Sequence, residues 1–338
     1  MTPPIYNNAP LPLVFFGSGA FGLPTLQRLV SRPEEYAVRL VVTQPDRPAG
    51  RKRVPSPTPI AAWASEHGLP VYRCENVNTA EAIARVRAAE SVAFVVIAFG
   101  QKLSRSLIGE TFAINLHGSL LPKYRGAAPI NWAIINGETT TGISVITLAD
   151  RMDAGLILAS AGVRIQAMET AGELHDRLSV LGPDLIETVL EQWATNALKP
   201  VRQEEGLVLR APKLRKEDGT VDFGMSCLGV RARIHGLNPW PGCTVLLGED
   251  RLKIGLVRDR IDLRVDGVEP GTVLPGGGTV ACGRGAVEIL RIQAPGGRML
   301  GIVDFLNGYK AFQPGTVLRS ATTLVADEGN GLTDGPGT

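Results

Sequence analysis

The chain has 338 residues, 44 % of them apolar and 20 % charged, with a formal net charge of +2. That length suits about two domains and a sizeable core, which excludes global disorder, and no apolar run approaches the ~18 residues of a membrane span. The four cysteines, Cys74, Cys227, Cys243 and Cys282, stand far apart with no CxxC pair. Zinc ribbons and thioredoxin-like sites are thereby excluded, and reduced thiols in a cytoplasmic protein are expected.

The first dozen residues lack a basic segment followed by an apolar one, so no secretory signal is expected, and 1–12 read as a loose leading segment. From there strand and helix patterns alternate. Residues 13–16 are a short apolar run that ends in glycine, and 24–30 read as a helix with Pro24 in its first turn. Residues 38–43 read as a strand, 60–67 as a helix, 69–72 as a strand and 79–89 as an Ala-rich helix. Residues 92–98 are apolar throughout, as a central parallel strand buried on both faces requires. Strands at 112–116, 142–148 and 156–163 and a helix at 128–135 follow. One long helix is expected over about 169–198, because Leu174, Leu178, Leu181, Leu185 and Val189 recur at spacings of three and four. Repeated βα units imply an α/β, doubly wound parallel sheet over 13–198.

The texture changes after residue 198. Residues 199–217 are polar and read as a linker. Residues 218–320 hold short β-like segments at 243–247, 252–257, 271–274, 279–282 and 287–292, separated by glycines and prolines, which predicts a small β-barrel. This half carries a modest excess of Lys and Arg, which permits a polyanionic partner. Residues 321–338 are Gly/Asp-rich and read as a disordered tail.

Three motifs carry chemistry. Gly17-Ser-Gly19-Ala-Phe-Gly22 follows a strand and precedes a helix, the setting in which glycines let a backbone approach a phosphate. With Asp46 available for a ribose hydroxyl, it keeps open a nicotinamide-dependent oxidoreductase; a tight strand-to-helix turn without a ligand fits as well. The stretch 44–59 sets Arg47, Arg51, Lys52 and Arg53 among five prolines and a glycine. That composition excludes helix and strand. A mobile cationic loop at the carboxyl end of a strand is expected, suited to a polyanion. Asn115-Leu-His117-Gly-Ser-Leu-Leu-Pro-Lys-Tyr-Arg-Gly-Ala-Ala-Pro129 begins inside a buried strand. Residues two apart on a strand share a face, so the Asn115 amide and the His117 ring are expected in one space. A neutral donor beside a titratable ring suits a developing oxyanion with a proton moving nearby. Asp150-Arg-Met-Asp153-Ala-Gly155 offers a carboxylate to orient the histidine and take up that proton.

The run Asn115-Leu-His117, then Ser119-Leu-Leu-Pro122 and Gly126, with Asp153 thirty-eight positions after Asn115, resembles the formyltetrahydrofolate-dependent formyltransferases. The stretches 16–21, 43–51, 124–129, 211–214, 238–242, 270–274 and 304–309 extend the resemblance over about 13–318, towards members that formylate methionyl-tRNA. It implies a Rossmann-like formyltransferase domain followed by an OB-like barrel that carries tRNA. It also implies a catalytic set on Asn115, His117 and Asp153, and 10-formyltetrahydrofolate as the formyl donor, with no metal. The donor would be contacted by Ser119, Leu120, Leu121 and Pro122, with Gly100 and Leu103. The basic loop, with Arg47, Arg51, Lys52 and Arg53, would meet the acceptor end of initiator methionyl-tRNA. A monomer acting away from membranes is implied, and the Gly17–Gly22 turn would bind no dinucleotide. A formyltransferase of the same superfamily acting on a sugar nucleotide would share the catalytic set and need no basic loop. One stretch departs from the family pattern: the family's Gly-Leu-Ile-Leu-Pro is replaced by Gly100-Gln-Lys-Leu-Ser104.

Overall fold

The computed structural model describes residues 9–49 and 54–321. The chain divides into two compact units, one of residues 1–126, 141–163 and 175–210, the other of 127–140, 164–174 and 211–338. Two pieces from the first half, 127–140 and 164–174, group with the C-terminal unit, and 199–210 group with the first.

In chain order the elements are β1 (Leu11–Gly17), α1 (Leu23–Val30), β2 (Tyr36–Thr43), β3 (Arg47–Ala49), β4 (Val54–Ser56), α2 (Pro59–Glu66), β5 (Val71–Arg73), α3 (Ala80–Arg87), β6 (Ala93–Ile97), α4 (Arg105–Ile108), β7 (Phe112–His117), β8 (Arg125–Gly126), α5 (Pro129–Ile135), β9 (Thr140–Thr147) and β10 (Ile157–Arg164). Then come α6 (Ala171–Ser179), α7 (Gly182–Ala194), β11 (Arg210–Ala211), α8 (Cys227–Gly236), β12 (Cys243–Leu247), β13 (Asp250–Arg260), β14 (Thr279–Ala281), β15 (Ala286–Gln293), β16 (Met299–Gly301), α9 (Ile302–Gly308) and β17 (Arg319–Ser320). Side-chain caps start several helices where the sequence supplies Ser or Thr: Thr58 accepts from Ala61 N–H, Thr79 from Ala82 N–H and Ser104 from Leu107 N–H.

The first unit is built on a sheet of order β10-β9-β7-β6-β1-β2-β5. The pairs β2–β5, β1–β2, β1–β6 and β6–β7 are parallel, as the βα alternation predicts. The pair β7–β9 is antiparallel, so the sheet is mixed. Strand β6 is buried at every position, which explains its unbroken apolar run. Chain order reverses direction across β1 and β6, and open α/β sheets place their ligands outside the carboxyl ends of the strands at such a point.

The long helix expected over 169–198 is two helices. Pro183 cannot continue α6 but fits the first turn of α7. Gly182 lets the junction lie close, since a Cβ there would stand 2.8 Å from both Leu116 Cδ2 and Thr25 Oγ1. The basic stretch also differs from expectation. Strands β3 and β4 pair antiparallel with Pro48 opposite Pro55, because an isolated two-stranded ribbon has outer edges where proline's missing N–H costs no ladder bond.

In the C-terminal unit the antiparallel sheet has the order β14-β15-β13-β12-β17, with β16 pairing β15. Irregular register around Gly255 bends β13 against β15. Residues 271–274 form no strand of their own, yet they bridge the sheet's two edges. Gly271 N–H donates to Ala281 O on one side, and Val273 N–H to Thr316 O and Leu318 N–H to Gly271 O on the other, each at 2.8 Å. Helices α8 and α9 had no place in the expected all-β pattern. Helix α8 is capped by Ser226 and buries Val230 and Ile234 with the barrel strands' inward residues; its interior glycine and flanking arginines mask that spacing.

His235, on α8, is 1 % exposed, and its Nε2 lies 2.9 Å from Val257 O. Burial lowers its pKa from 6.5 to about 4, with Arg231 working in the same direction and Glu173 and Asp259 against it. Below pH 6.5 the unfolded chain takes up a proton there that the folded chain refuses until about pH 4. Stability is therefore lost as pH falls through that window, by about 3 kcal/mol in full. Denaturant titrations between pH 7.5 and 4.5 are expected to show a loss about 2 kcal/mol smaller in His235→Gln than in the parent. Equal losses would mean that the ring titrates alike folded and unfolded.

Candidate active site

Strand β7 carries Asn115 and His117 to the carboxyl end of the sheet, between β6 and β9. Asn115 is half-buried, and among the described residues its carboxamide has no hydrogen-bond partner. His117 is 6 % exposed. Its Nε2 lies 2.8 Å from the Tyr124 carbonyl oxygen, which can only accept, so Nε2 carries a proton. In the neutral ring Nδ1 is then the lone pair, and it lies 3.7 Å from Asp153 Oδ1. The orienting hydrogen bond on the ring thus comes from Tyr124, while Asp153 stands opposite the nitrogen left for chemistry.

Asp153 lies on the turn between β9 and β10 with φ +53°, and Tyr124 has φ +63°; both are left-handed, a conformation an aspartate tolerates and a tyrosine avoids unless the surroundings impose it. Gly126 N–H donates to Asp153 Oδ2 at 2.9 Å. Gly155 passes so close to β9 that an added Cβ would overlap the Thr147 carbonyl oxygen. Gln203 Nε2 donates to Asp153 O at 2.7 Å and Gly155 O at 2.8 Å. Sequence reasoning missed Tyr124, which acts through its carbonyl, and Gln203, which lies in the polar stretch read as a linker. Neither carries a local signal.

The residues expected to meet the donor are largely engaged within the protein. Ser119 is fully buried, and its Oγ donates to Lys123 O at 2.7 Å. Ser144 Oγ donates to Ser119 O at 2.8 Å and stands 3.2 Å from Leu121 N–H. Leu120 covers Gly142 and Gly162, with its Cδ2 2.7 Å from where a Cβ on Gly142 would stand. Leu121 is buried and Pro122 half-buried. Gly100 has φ +83° and presses on the Gln44 amide, so a side chain is excluded there twice over. Leu103 is a core residue beside Phe16, Phe94 and Phe99.

The departure at 101–104 has a structural account. Gln101 Oε1 accepts from Val77 N–H at 2.8 Å and its Nε2 donates to Cys74 O at 3.0 Å, tying this loop to the one after β5. Lys102 Nζ donates to Asp150 O at 2.8 Å, reaching the turn that carries Asp153. Arg105 pairs with the Asp150 carboxylate.

The glycine-rich turn is a packing device. The N–H groups of Ser18 and Gly19 both point at Ala98 O, at 3.2 Å, so neither is left for a phosphate. A Cβ on Gly22 would stand 3.1 Å from Ile97 Cβ, and one on Gly19 3.2 Å from Ala98 Cβ. Asp46, the candidate ribose ligand, pairs with Arg73 at 3.0 Å. The nicotinamide reading loses its geometry here.

The basic stretch leaves the same end of the sheet, anchored by Gln44 Nε2 on Phe99 O at 3.0 Å. Arg47 is exposed and paired with Glu75 at 2.9 Å. Arg51, Lys52 and Arg53 lie outside the described residues. No helix among the described residues is long and apolar enough to cross a membrane.

Residues 12–190 match the formyl transferase family, and residues 213–310 match the formyl transferase C-terminal domain. The chain is similar to proteins named methionyl-tRNA formyltransferase. It is 40 % identical over 311 residues to that of Citrifermentans bemidjiense, covering 90 % of this chain and 96 % of the relative. To that of Geobacter sulfurreducens it is 40 % identical over 321 residues, covering 94 % and 99 %. In fold it is similar to the N-formyltransferase from Helicobacter canadensis, solved in complex with folinic acid and dTDP-3-aminofucose: the TM-score is 0.61 at 14 % identity, over 82 % of this chain and 99 % of that one. A sheet whose order reverses at β1 and β6, an Asn–His pair beside a held carboxylate, and this identity along nearly the whole length agree, and the chain belongs to the formyl transferase family.

Proposed function

We propose that the protein moves the formyl group of 10-formyltetrahydrofolate to the α-amine of methionyl-initiator tRNA. The observation that carries this reading is the 40 % identity, over nine-tenths of the chain, to proteins named for that reaction. The geometry supports its chemistry. The amine attacks the formyl carbon, a C–N bond forms, and the formyl oxygen becomes an oxyanion. The Asn115 carboxamide, without a partner among the described residues, donates to that oxygen; one such donor lowers a barrier by about 3 kcal/mol. His117 Nδ1 takes the proton the amine must lose, and the Asp153 carboxylate, 3.7 Å away, stabilises the imidazolium. Collapse breaks the bond from the formyl carbon to N10, which leaves with the proton returned from His117. Tetrahydrofolate and formylmethionyl-tRNA are the products. The donor lies along 119–122 and beside Gly100, reached through backbone and apolar surface, since the Ser119 hydroxyl is engaged and the Leu103 side chain is packed in the core.

The test is an assay with labelled formyl donor against charged initiator tRNA, elongator methionyl-tRNA, an amino-sugar nucleotide, and no acceptor. Label is expected in the initiator tRNA; label in the sugar nucleotide, or release as formate without an acceptor, would replace the reading.

The basic stretch is the tRNA-binding segment in this proposal, with Arg47 at its stem and Arg51, Lys52 and Arg53 in its middle. Replacing those last three by alanine is expected to weaken tRNA binding and to flatten the slope of log affinity against log salt by about 2, at ~0.7–0.9 for each phosphate no longer neutralised. An unchanged slope would remove the stretch from the interface.

A further inference from the structure

We infer that Gln203, held by Arg125, is the positioning residue of Asp153, so that the segment after α7 serves the reaction rather than merely connecting. The inference rests on the reading of Asp153 as a reacting group. Asp153 sits on a short turn in the left-handed region, a sparsely populated conformation that an aspartate tolerates and outside contacts can hold. The outside support is a single connected set of groups. Gln203 gives both amide hydrogens to the turn, one to Asp153 O at 2.7 Å and one to Gly155 O at 2.8 Å. Its Oε1 accepts from Arg125 Nε at 2.8 Å. A guanidinium only donates, so the amide oxygen has to face Arg125 and the amide nitrogen has to face the two carbonyls. The orientation of Gln203 is therefore determined by its partners.

Arg125 is itself fixed. It is 4 % exposed, and its other nitrogens reach Glu205 at 3.0 and 3.4 Å. Glu205 also accepts from Arg151 at 2.9 Å, on the same turn as Asp153. The Arg125 guanidinium beside it, with Arg151, holds the Glu205 carboxyl below the usual carboxylate range, so the bridge stays charged at neutral pH. The backbone N–H of Arg125 donates to Leu209 O at 3.0 Å, and the next residue, Gly126, aims the Asp153 carboxylate. Gln203, Glu205 and Leu209 thus grip both parts that set the carboxylate: the turn that bears it and the strand that hydrogen-bonds it. A linker exposed to solvent has no need of a glutamine with its acceptor and both donors all engaged. A displacement of about 1 Å at a reacting group costs on the order of 10²-fold in rate, which is the margin this grip protects.

The test uses the full chain, the formyl donor and methionyl-initiator tRNA. Gln203→Glu keeps the shape and the acceptor for Arg125 but loses both donors. It is expected to lower kcat by about 10- to 50-fold with both KM values within two-fold. In an Asp153→Asn background the same change is expected to cost less than two-fold, because the group it positions is already gone. Amide exchange at Gly126, read on the free protein without any turnover, is expected to accelerate at least about ten-fold as its carboxylate acceptor moves off. A kcat within two-fold of the parent, an equal loss in both backgrounds, or unchanged Gly126 exchange would each overturn the inference. If Gln203→Glu does not fold, Gln203→Met, of equal length, carries the same three comparisons. Should the parent transfer no formyl group to any acceptor, the functional reading fails, and Gly126 exchange alone decides whether Gln203 holds the turn.

Discussion

Asn115→Ala, His117→Ala and Asp153→Ala are each expected to lower kcat by about 10²-fold or more, with both KM values within a few-fold of the parent. In the proposed reaction the three side chains act when the formyl carbon becomes tetrahedral, so their removal would register in kcat rather than in ground-state binding. Among the described residues the Asn115 carboxamide has no partner to leave unsatisfied, so Asn115→Ala is expected to remove chemistry and little else. His117→Ala also abandons the Tyr124 carbonyl and is expected to cost some stability, roughly 1–2 kcal/mol. Asp153→Ala frees Gly126 N–H in the same way. The losses are not expected to add, because in the proposed mechanism the amine proton passes through one coupled pair: once His117 or Asp153 is gone, removing the other is expected to cost little more. Rapid-quench turnover of the single and double variants checks this. Near-parental kcat in all three single variants would dissolve the assignment.

The second large effect comes from a residue with no chemistry. Gly155→Ala is expected to cost about 3 kcal/mol of stability and on the order of 10²-fold in kcat. An added Cβ would overlap the Thr147 carbonyl oxygen, and that end of β9 cannot retreat. Thr147 N–H donates to Leu156 O at 3.0 Å, and Leu156 N–H donates to Thr147 Oγ1 at 2.9 Å. The turn has to move instead, and it carries Asp153 two residues away. Gly206→Ala is the control: nothing lies within 4 Å of its Cβ position and its φ is not left-handed, so stability and turnover are expected to stay at parental values. Denaturant titration and kcat of the two variants decide the point. Parental behaviour of Gly155→Ala would mean that the turn has slack, and that the closeness of β9 does not set the carboxylate.

Much of the first unit was legible from local pattern. The run at 93–97 is apolar at every position because the strand is covered on both faces, and such a run reads the same in sequence as in space. Spacing alone put Asn115 and His117 on one face of β7, since strand geometry makes alternate residues neighbours. The long helix failed where a local rule overrode periodicity: the Leu spacing runs through Pro183, and the backbone does not. The hairpin of β3 and β4 failed in the opposite sense, because prolines that bar a central strand are tolerated in an isolated ribbon. Helices α8 and α9 were hidden by glycines and short length, and their burial against the barrel strands is a matter of distant contacts.

Two kinds of information therefore separate. Chain order and residue type by themselves determined the βα alternation and the family, and singled out the amide, the imidazole and the carboxylate as candidates, because each depends on neighbours within a few residues or on a motif that survives as a string. Only the tertiary structure decided that Tyr124 fixes the His117 tautomer, that the Gly17–Gly22 turn points its amides at Ala98 rather than outward, and that Gln203 grips the turn of Asp153. Each of those is a hydrogen bond made by a backbone group or between distant segments, and a backbone carbonyl is the same atom whatever residue bears it.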